Sequence, residues 1–469
     1  MNPKWSTLLA SLPVLGAISA GARHARAQAP SDVAIEAMVQ ERVNRKQAVG
    51  LVVATLDRGK TKVFIAGSSG SNSVPLGINT VFEIGSITKV FTAALLADMV
   101  ARGEVRFEDP VRRFLPGFAR VPTRKGKEIT LLDLATQFSG LPRLPDNLHP
   151  KDPANPYADY TVDQLYAFLS GYTLTRDIGE RFEYSNLGLG LLGHALALRA
   201  GKTYEQLLRE RILDPLDMKD TRIALSRSMR NRLAPGHDDA GVKTGNWDLP
   251  TLAGAGALRS TAADMLKFLA ANLDTRATPV TKALAMTRGA RRDISGPMKI
   301  GLGWQILNPF GRTIVWHNGG TGGYRAFIGL DPESERGAVV LSNQSVSSDD
   351  IGLHILEPRL PLTPAPKVRT EVAVDSLVLE TYVGVYELSP AFEIAVTREG
   401  NELSLQATGQ EKVRMFAESP TNFFLKIVDA QVVFRKDASG KVTGLVLHQS
   451  GASIPGAKKE PPVEPQARE

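Results

Sequence analysis

The sequence contains no cysteine among its 469 residues. Disulfides and thiol chemistry are therefore excluded, and the apolar core must stabilise the fold. The seven histidines are scattered and form no H-E-x-x-H motif, so we expect no metal site. There is no Walker loop and no G-x-G-x-x-G after a predicted strand, so we expect no cofactor. The absence of a G-x-S-x-G motif argues against an α/β-hydrolase.

Long apolar runs are also scarce. One covers residues 8–18, follows Lys4 and precedes an A-x-A-like site that ends at Ala27. This pattern predicts a signal peptide over residues 1–27 and a periplasmic or secreted protein. An uncleaved membrane anchor is the alternative, but Pro13 and Gly16 interrupt the apolar run. No later stretch is apolar enough to span a bilayer, so we expect no stable membrane insertion after cleavage.

The excess of positive charge is modest. The formal net charge of +7 includes three basic residues and no acidic residue within the first 27 positions, so it falls to +4 without them. The remaining Lys and Arg alternate with Asp and Glu, which is typical of a solvated surface and argues against a nucleic-acid partner. The content of 43% hydrophobic and 22% charged residues is that of a globular protein, and the length favours more than one domain.

The run Ser86-Ile87-Thr88-Lys89 stands at the start of an apolar helical pattern. Residues i and i+3 of a helix share a face, so the serine hydroxyl and the lysine amine are expected to lie together. Free backbone N–H groups in the first helical turn suit an oxyanion. A desolvated lysine is able to take the hydroxyl proton. The run therefore predicts an activated nucleophile, although an S-x-x-K motif alone also fits an ordinary helix start.

Two further motifs follow in order: Tyr184-Ser185-Asn186 and His317-Asn318-Gly319-Gly320. Together with S-x-x-K they resemble the serine β-lactamase and penicillin-binding protein superfamily. The sequence is most similar to its class C branch, which also contains DD-peptidases, D-aminopeptidases and family VIII esterases. The resemblance spans about residues 35–350 and includes several connecting segments: residues 131–136, 139–142, 215–218, 254–261 and 301–304.

The resemblance implies a role for each motif residue. Ser86 is implied as the nucleophile that forms an acyl-enzyme, and Lys89 as a group that helps to deprotonate it. Tyr184 is implied as the proton shuttle, with its pKa lowered by adjacent cations. Asn186 is expected to orient the lysine and hold the substrate amide. The backbone N–H groups of Ser86 and Gly320 are implied as the oxyanion hole.

The third motif departs from the family, which usually has Lys-Thr-Gly at this strand. His317 replaces the lysine and Asn318 the threonine. Histidine is mostly neutral at pH 7, so it does not supply the permanent cation that a substrate carboxylate needs. His-x-Gly does occur in the D-aminopeptidase, esterase and peptidase relatives. His317 is counted among the catalytic residues, and Asn318, Gly319 and Arg325 among those that bind substrate, with Arg325 expected to restore a positive charge.

A literal Lys-Thr-Gly stands elsewhere, at residues 243–245. It follows Tyr184 too soon and lies within a polar, turn-rich run, so we predict a surface loop there.

The element pattern predicts an α/β (α+β) fold for residues 28–356. A helix is expected over 33–47, and strands over 49–54 and 62–66 around a turn at Arg58-Gly59. Helices predominate from about 95 to 290, and strands return at 314–317, 326–330 and 337–341. Strands at both ends with helices between them imply one antiparallel sheet flanked by helices, with a helical subdomain. The active site is expected between the sheet and that subdomain.

The C-terminal region has a different texture. A proline-rich linker is predicted over 357–372, and short alternating strands over 373–455 predict a small antiparallel barrel. This barrel resembles the lipocalin-like C-terminal domain of some members of the family. Residues 456–469 are expected to be a disordered tail.

Three functions remain open at this level. The first is an exported serine hydrolase that acts on amides, either a β-lactam ring or a D-amino-acid peptide of cell-wall type. The second is a carboxylesterase that uses the same site on uncharged esters. The third is a penicillin-binding sensor that is acylated without turnover. In each case the partner is a small molecule or a peptide.

Overall fold

The computed structural model of the protein describes residues 28–363, 369–389, 392–408, 412–425, 430–449 and 452–459. The predicted signal peptide and residues 460–469 of the predicted tail lie outside the described residues. The described chain forms two compact units. The first ends at Thr363, and the second contains the described residues from 369 onward.

The first unit contains twelve strands: β1 (Gly50–Asp57), β2 (Lys60–Gly67), β3 (Phe82–Glu83), β4 (Gly236–His237), β5 (Lys243–Thr244), β6 (Arg259–Ser260), β7 (Arg292–Ser295), β8 (Met298–Ile300), β9 (Gln305–Leu307), β10 (Ile314–Gly320), β11 (Arg325–Asp331) and β12 (Arg336–Ser342). Eight of them form one antiparallel sheet in the order β2-β1-β12-β11-β10-β9-β8-β7. The predicted sheet of N- and C-terminal strands is confirmed, because β1 pairs with β12.

Helices surround this sheet: α1 (Asp32–Asn44), α2 (Thr88–Ala101), α3 (Leu131–Ala135), α4 (Val162–Gly171), α5 (Asn186–Ala200), α6 (Tyr204–Leu208), α7 (Arg227–Arg230), α8 (Ala253–Gly256), α9 (Ala262–Leu273), α10 (Pro279–Arg288) and α11 (Asp349–Leu356). Helix α2 is apolar on all sides and is buried through Met99, as expected of a central helix. It packs against α5, α8 and α10. The nucleophile candidate therefore begins the best-buried helix of the unit.

Two boundaries of the predicted linker are wrong. Glu357 is fully buried and belongs to the first unit, where its carboxylate accepts two hydrogen bonds of 2.8 Å from Arg359. At the other end, Val372 donates a backbone hydrogen bond of 2.9 Å to Ala417 of the second unit. The proline content indicated a connection between the two units, but it did not indicate that the buried Glu357 carboxylate belongs to the first unit.

The second unit is a closed barrel of eight antiparallel strands in sequence order: β13 (Gly384–Ser389), β14 (Phe392–Glu399), β15 (Glu402–Ala407), β16 (Val413–Ala417), β17 (Asn422–Phe424), β18 (Ala430–Lys436), β19 (Val442–Gln449) and β20 (Ala452–Lys458). A short helix, α12 (Ser376–Glu380), precedes them. The predicted barrel is confirmed. The last strand runs to Lys458, so the tail predicted from residue 456 begins too early.

Aromatic side chains fill the barrel. Phe434 stacks on Tyr382 with ring centroids 4.0 Å apart, and Phe423 meets Phe434 edge to face. All three side chains are buried. The barrel thus has a hydrophobic core of its own.

Candidate active site

Ser86 lies in a 3₁₀ turn, Gly85–Ile87, that leads directly into α2. Gly85 has φ +48°, a conformation that favours glycine. The Thr88 hydroxyl donates to the Gly85 carbonyl at 2.7 Å and fixes the turn. Gly85 and Ile87 are buried, whereas Ser86 is partly exposed. The turn therefore presents the serine hydroxyl to solvent from a rigid base.

Lys89 lies one helical turn beyond the serine and is fully buried. Its Nζ is 2.9 Å from Ser86 Oγ and donates to the Ala255 carbonyl at 2.6 Å. Burial, together with the positive charge of Arg143, holds the pKa of Lys89 well below its ordinary value. The environment therefore favours the neutral amine, which is able to accept a proton.

Tyr184 lies on the other side of the hydroxyl, just before the capping residue of α5. Ser86 is close enough to its phenol to lower the pKa of Tyr184, and the centre of its ring lies 4.8 Å from Lys89 Nζ. Burial raises the pKa of Tyr184 to about 12, although Ser86 and Arg143 oppose this shift. The predicted lowering of its pKa is wrong, because desolvation outweighs the nearby cations. Tyr184 is thus a proton donor at neutral pH.

Asn186 begins α5 but does not contact the lysine as predicted. Its Nδ2 donates to the Tyr157 phenol at 3.3 Å, and its buried Oδ1 has no partner among the described residues. Its backbone N–H donates to the Arg143 carbonyl at 3.0 Å. The Ala255 carbonyl, rather than Asn186, orients Lys89.

His317 lies in β10 with only 2% of its surface exposed. Its Nδ1 is 2.5 Å from the backbone carbonyl of Asn318, which only accepts, so Nδ1 carries the hydrogen and Nε2 is the free acceptor. Burial, reinforced by Lys89 and opposed by the Asn318 hydrogen bond, lowers the pKa of His317 to about 3. The histidine is therefore neutral, and the site has no cation at this strand.

Two glycines allow β10 to approach the serine turn. A Cβ on Gly319 would overlap the Ile84 carbonyl oxygen, and one on Gly85 would lie 2.7 Å from the Gly320 nitrogen. No residue with a side chain fits at either contact without moving backbone. The Gly320 peptide therefore packs directly on the turn that carries Ser86.

Asn318 and Arg325 lie on the face of β10 and β11 opposite His317, because side chains alternate along a strand and Arg325 pairs with Gly320. Asn318 donates to Asp349 at 2.5 Å. The Arg325 guanidinium donates to the Thr321 and Tyr324 carbonyls at 3.3 and 3.2 Å. Neither side chain shares the face of the sheet that carries His317, and their assignment to substrate binding stays a prediction.

The literal Lys-Thr-Gly is not part of β10. It forms part of a two-stranded hairpin, β4–β5, rather than the predicted loop. Lys243 is exposed, and Thr244 is partly exposed.

Two loops, which carry Tyr157 and Trp247, meet near Asn186, and sequence reasoning did not place their residues. Tyr157 and Trp247 have ring centroids 5.5 Å apart. Asn155 joins the loops through hydrogen bonds of 2.7 and 3.0 Å with Asp248. Arg143 stacks on the Tyr184 ring at 5.0 Å. The only sequence signal for Arg143 was its position directly after the family-like segment 139–142.

The described residues contain no cluster of metal-ligating side chains. Among them, no helix combines the length and the apolar character needed to cross a membrane.

The Beta-lactamase family model matches residues 35–356, which include Ser86, Lys89, Tyr184 and His317. The chain belongs to the beta-lactamase family. A second model, a domain of unknown function (DUF3471), matches residues 368–464, where the barrel lies.

Relatives within the family include the D-alanyl-D-alanine-carboxypeptidase/endopeptidase AmpH of Escherichia coli (strain K12). It is 32% identical over 314 residues, which cover 64% of this chain and 80% of AmpH. Penicillin-binding protein 4* of Bacillus subtilis (strain 168) is 28% identical over 409 residues, which cover 81% of this chain and 87% of that protein. A class C beta lactamase from Rhodobacter sphaeroides aligns with a TM-score of 0.59 and 26% identity, covering 67% of this chain and 95% of that structure. The protein is a serine hydrolase of the β-lactamase and D-alanyl-D-alanine carboxypeptidase class.

Proposed function

We propose that this protein is an exported hydrolase that cleaves D-amino-acid peptides of cell-wall type, or β-lactam rings, through an acyl-enzyme on Ser86. The observation that supports the proposal is the fully buried Lys89 amine, which lies 2.9 Å from the hydroxyl of the partly exposed Ser86. A buried neutral amine at hydrogen-bond distance is a general base for that hydroxyl.

In the first step, Lys89 takes the Ser86 proton while Oγ bonds to the substrate carbonyl carbon. The developing oxyanion accepts hydrogen bonds from the backbone N–H groups of Ser86 and Gly320. Tyr184, which carries its proton at neutral pH, gives it to the leaving nitrogen as the C–N bond breaks. It recovers a proton from the Lys89 ammonium, 4.8 Å from its ring centre. Both groups are thereby reset for the second step.

In the second step, water attacks the acyl carbon and gives its proton to the neutral Lys89. The Ser86 Oγ–carbon bond then breaks, and Oγ takes the proton back. Asn186 has a buried Oδ1 without a described partner. We assign it as the acceptor for a substrate amide N–H, since an unpaired buried acceptor is costly until it is occupied.

The names of the relatives support amide substrates. They include a D-alanyl-D-alanine-carboxypeptidase/endopeptidase, a penicillin-binding protein and β-lactamases. A carboxylesterase is the second candidate, and the neutral His317 favours it, because an uncharged ester needs no cation on β10.

A substrate panel tests this choice. The purified chain from residue 28 is assayed with an acyl-D-alanyl-D-alanine peptide, a chromogenic cephalosporin and a p-nitrophenyl ester, beside Ser86→Ala. We expect turnover of the peptide or the cephalosporin that Ser86→Ala abolishes. Turnover of the ester alone would establish the esterase, and a lasting adduct without turnover would indicate a penicillin-binding sensor.

Export is tested separately, on the full chain produced in a Gram-negative host. We expect the periplasmic fraction to contain a protein whose mass corresponds to a start at Gln28. Full-length protein in the cytoplasm would contradict this.

A further inference from the structure

We infer that Arg143 binds the free carboxylate of the substrate and thereby makes the enzyme selective for substrates that end in one. This inference rests on the proposed function, since it names the substrate group that the same cleft recognises. It assigns to a loop residue the cation that β10 lacks.

The first step is the charge balance around Ser86. His317 is neutral and buried, and Arg325 lies on the opposite face of the sheet, held by two backbone carbonyls. Lys89 is committed to the serine and to the Ala255 carbonyl. A substrate carboxylate near Ser86 therefore has no cation among these residues.

The second step is the position of Arg143. Its guanidinium carbon lies 5.0 Å from the centre of the Tyr184 ring, and that ring and the Ser86 hydroxyl lie 4.8 and 2.9 Å from the same Lys89 amine. One aromatic side chain therefore separates the guanidinium from the nucleophile. A C-terminal carboxylate lies about one residue, roughly 3.8 Å, beyond the scissile carbonyl, so the group that binds it must lie within a short distance of Ser86.

The backbone of Arg143 is held in place, whereas its side chain is free to bind a ligand. Its carbonyl accepts the backbone N–H groups of Asn186 and Leu187 at 3.0 and 3.2 Å, which ties its backbone to the start of α5. Its side chain is exposed, and no hydrogen bond or ion pair joins it to another residue of the described chain. The contact with Tyr184 holds the guanidinium beside the ring, and its N–H groups are able to form two parallel bonds to a carboxylate.

Arg143 also acts on the catalytic groups at a distance, since its charge lowers the pKa of Lys89. A loss of rate in a variant would therefore not by itself show substrate binding. The discriminating quantity is the ratio of kcat/KM for an acyl-D-alanyl-D-alanine peptide with a free carboxylate to that for the same peptide with a C-terminal amide. An effect through Lys89 changes both values and leaves their ratio unchanged.

The test compares Arg143→Met and Arg143→Lys with Arg120→Met, a control at an exposed arginine of the same unit. We expect Arg143→Met to reduce the ratio about 10- to 100-fold, chiefly through KM for the free acid, as loss of a charged hydrogen bond requires. Arg143→Lys is expected to restore part of it, and Arg120→Met to leave it unchanged. An unchanged ratio in Arg143→Met, with turnover retained, would overturn the inference.

A binding measurement separates this inference from the proposed function. In the Ser86→Ala background, calorimetry compares N-acetyl-D-alanyl-D-alanine with its C-terminal amide, with and without Arg143→Met. We expect tighter binding of the free acid, lost with the arginine. If the wild-type protein turns over no substrate but the free acid still binds more tightly than the amide, the hydrolase is refuted and the carboxylate site is upheld. Equal binding of the two peptides would refute the site itself.

Discussion

At the scale of single residues, the chemistry depends on three side chains whose protonation is set by burial. Burial and Arg143 lower the pKa of Lys89, and burial raises that of Tyr184 to about 12 and lowers that of His317 to about 3. The ionisable groups around Ser86 are thus a neutral base, a protonated acid and a neutral imidazole. Desolvation disfavours the charged form of each.

The pH dependence of the reaction follows from these shifts. The base form of Lys89 is populated above its pKa, so kcat/KM for an uncharged substrate should rise with pH through that lowered value and then stay level. No descending limb is expected in the neutral range, because Tyr184 keeps its proton there. Tyr184→Phe should lower the rate about 10²- to 10⁴-fold but retain the rising limb. A profile of kcat/KM against pH that loses this limb in Tyr184→Phe would instead identify Tyr184 as the titrating base.

At the scale of elements, the contact between β10 and the serine turn determines whether the oxyanion hole exists. Gly319→Ala places a methyl group against the Ile84 carbonyl, so we expect the strand to move and kcat to fall by at least about 10²-fold, as for loss of an oxyanion donor. Gly245→Ala is the control, since nothing lies within 4 Å of the methyl group that it adds. Equal activity of the two variants in steady-state assays would contradict the role of this contact.

A buried ion pair fixes the loop that carries Trp247. Glu83 accepts bonds of 3.1 and 3.0 Å from Arg259 and from the Trp247 backbone, and both charged side chains are buried. Arg259→Met leaves the Glu83 carboxylate unpaired and should lower the free energy of unfolding by about 3–5 kcal/mol. Lys219→Met, at an exposed lysine, is the control. We expect it to change the free energy of unfolding by no more than about 0.5 kcal/mol.

The pH dependence of that variant provides a second check. Burial raises the pKa of Glu83, and Arg259 opposes this shift, so removing the arginine should raise it further. When the pKa of a carboxyl group is higher in the folded than in the unfolded protein, the free energy of unfolding decreases as the pH rises through that pKa. The deficit of Arg259→Met in urea denaturation should therefore be smaller at pH 5 than at pH 8. A deficit that grows on acidification would contradict the pairing.

Sequence patterns predicted the elements whose periodicity is long and unbroken. The helix expected over 33–47, the strands around Arg58-Gly59 and the sheet built from both ends of the unit all follow from local pattern. The strands over 292–307 were missed because each has only three or four residues of mixed polarity. No local sequence pattern indicates these strands, and they form because they pair with β10 and with one another.

The motif side chains at Ser86, Lys89 and Tyr184 come together as their order predicted. The sequence motif did not show that Asn318 and Arg325 lie on the face opposite His317, because a one-residue step along a strand reverses the face of a side chain. Arg143 and Tyr157 were missed because they lie in irregular loops, whose positions depend on tertiary contacts that no periodicity encodes.

At the scale of the whole molecule, the hydrolase unit and the barrel each have a hydrophobic core. Phe434→Ala removes a buried ring from the barrel and should destabilise that unit by about 3–5 kcal/mol. We expect calorimetry of the full chain to show one transition shifted to lower temperature and one unchanged. Leu95→Ala, in the core of the first unit, should shift the other transition. A single transition that moves in both variants would show that the units unfold together.

The central claim is that Ser86 forms the covalent intermediate. The most direct test is to mix the mature chain with a penicillin, quench it at short times, and locate any added mass by peptide mapping. We expect one acyl group on the peptide that contains Ser86, absent from Ser86→Ala and strongly reduced in Lys89→Met. An acyl group on another residue, or one that persists in Ser86→Ala, would contradict it.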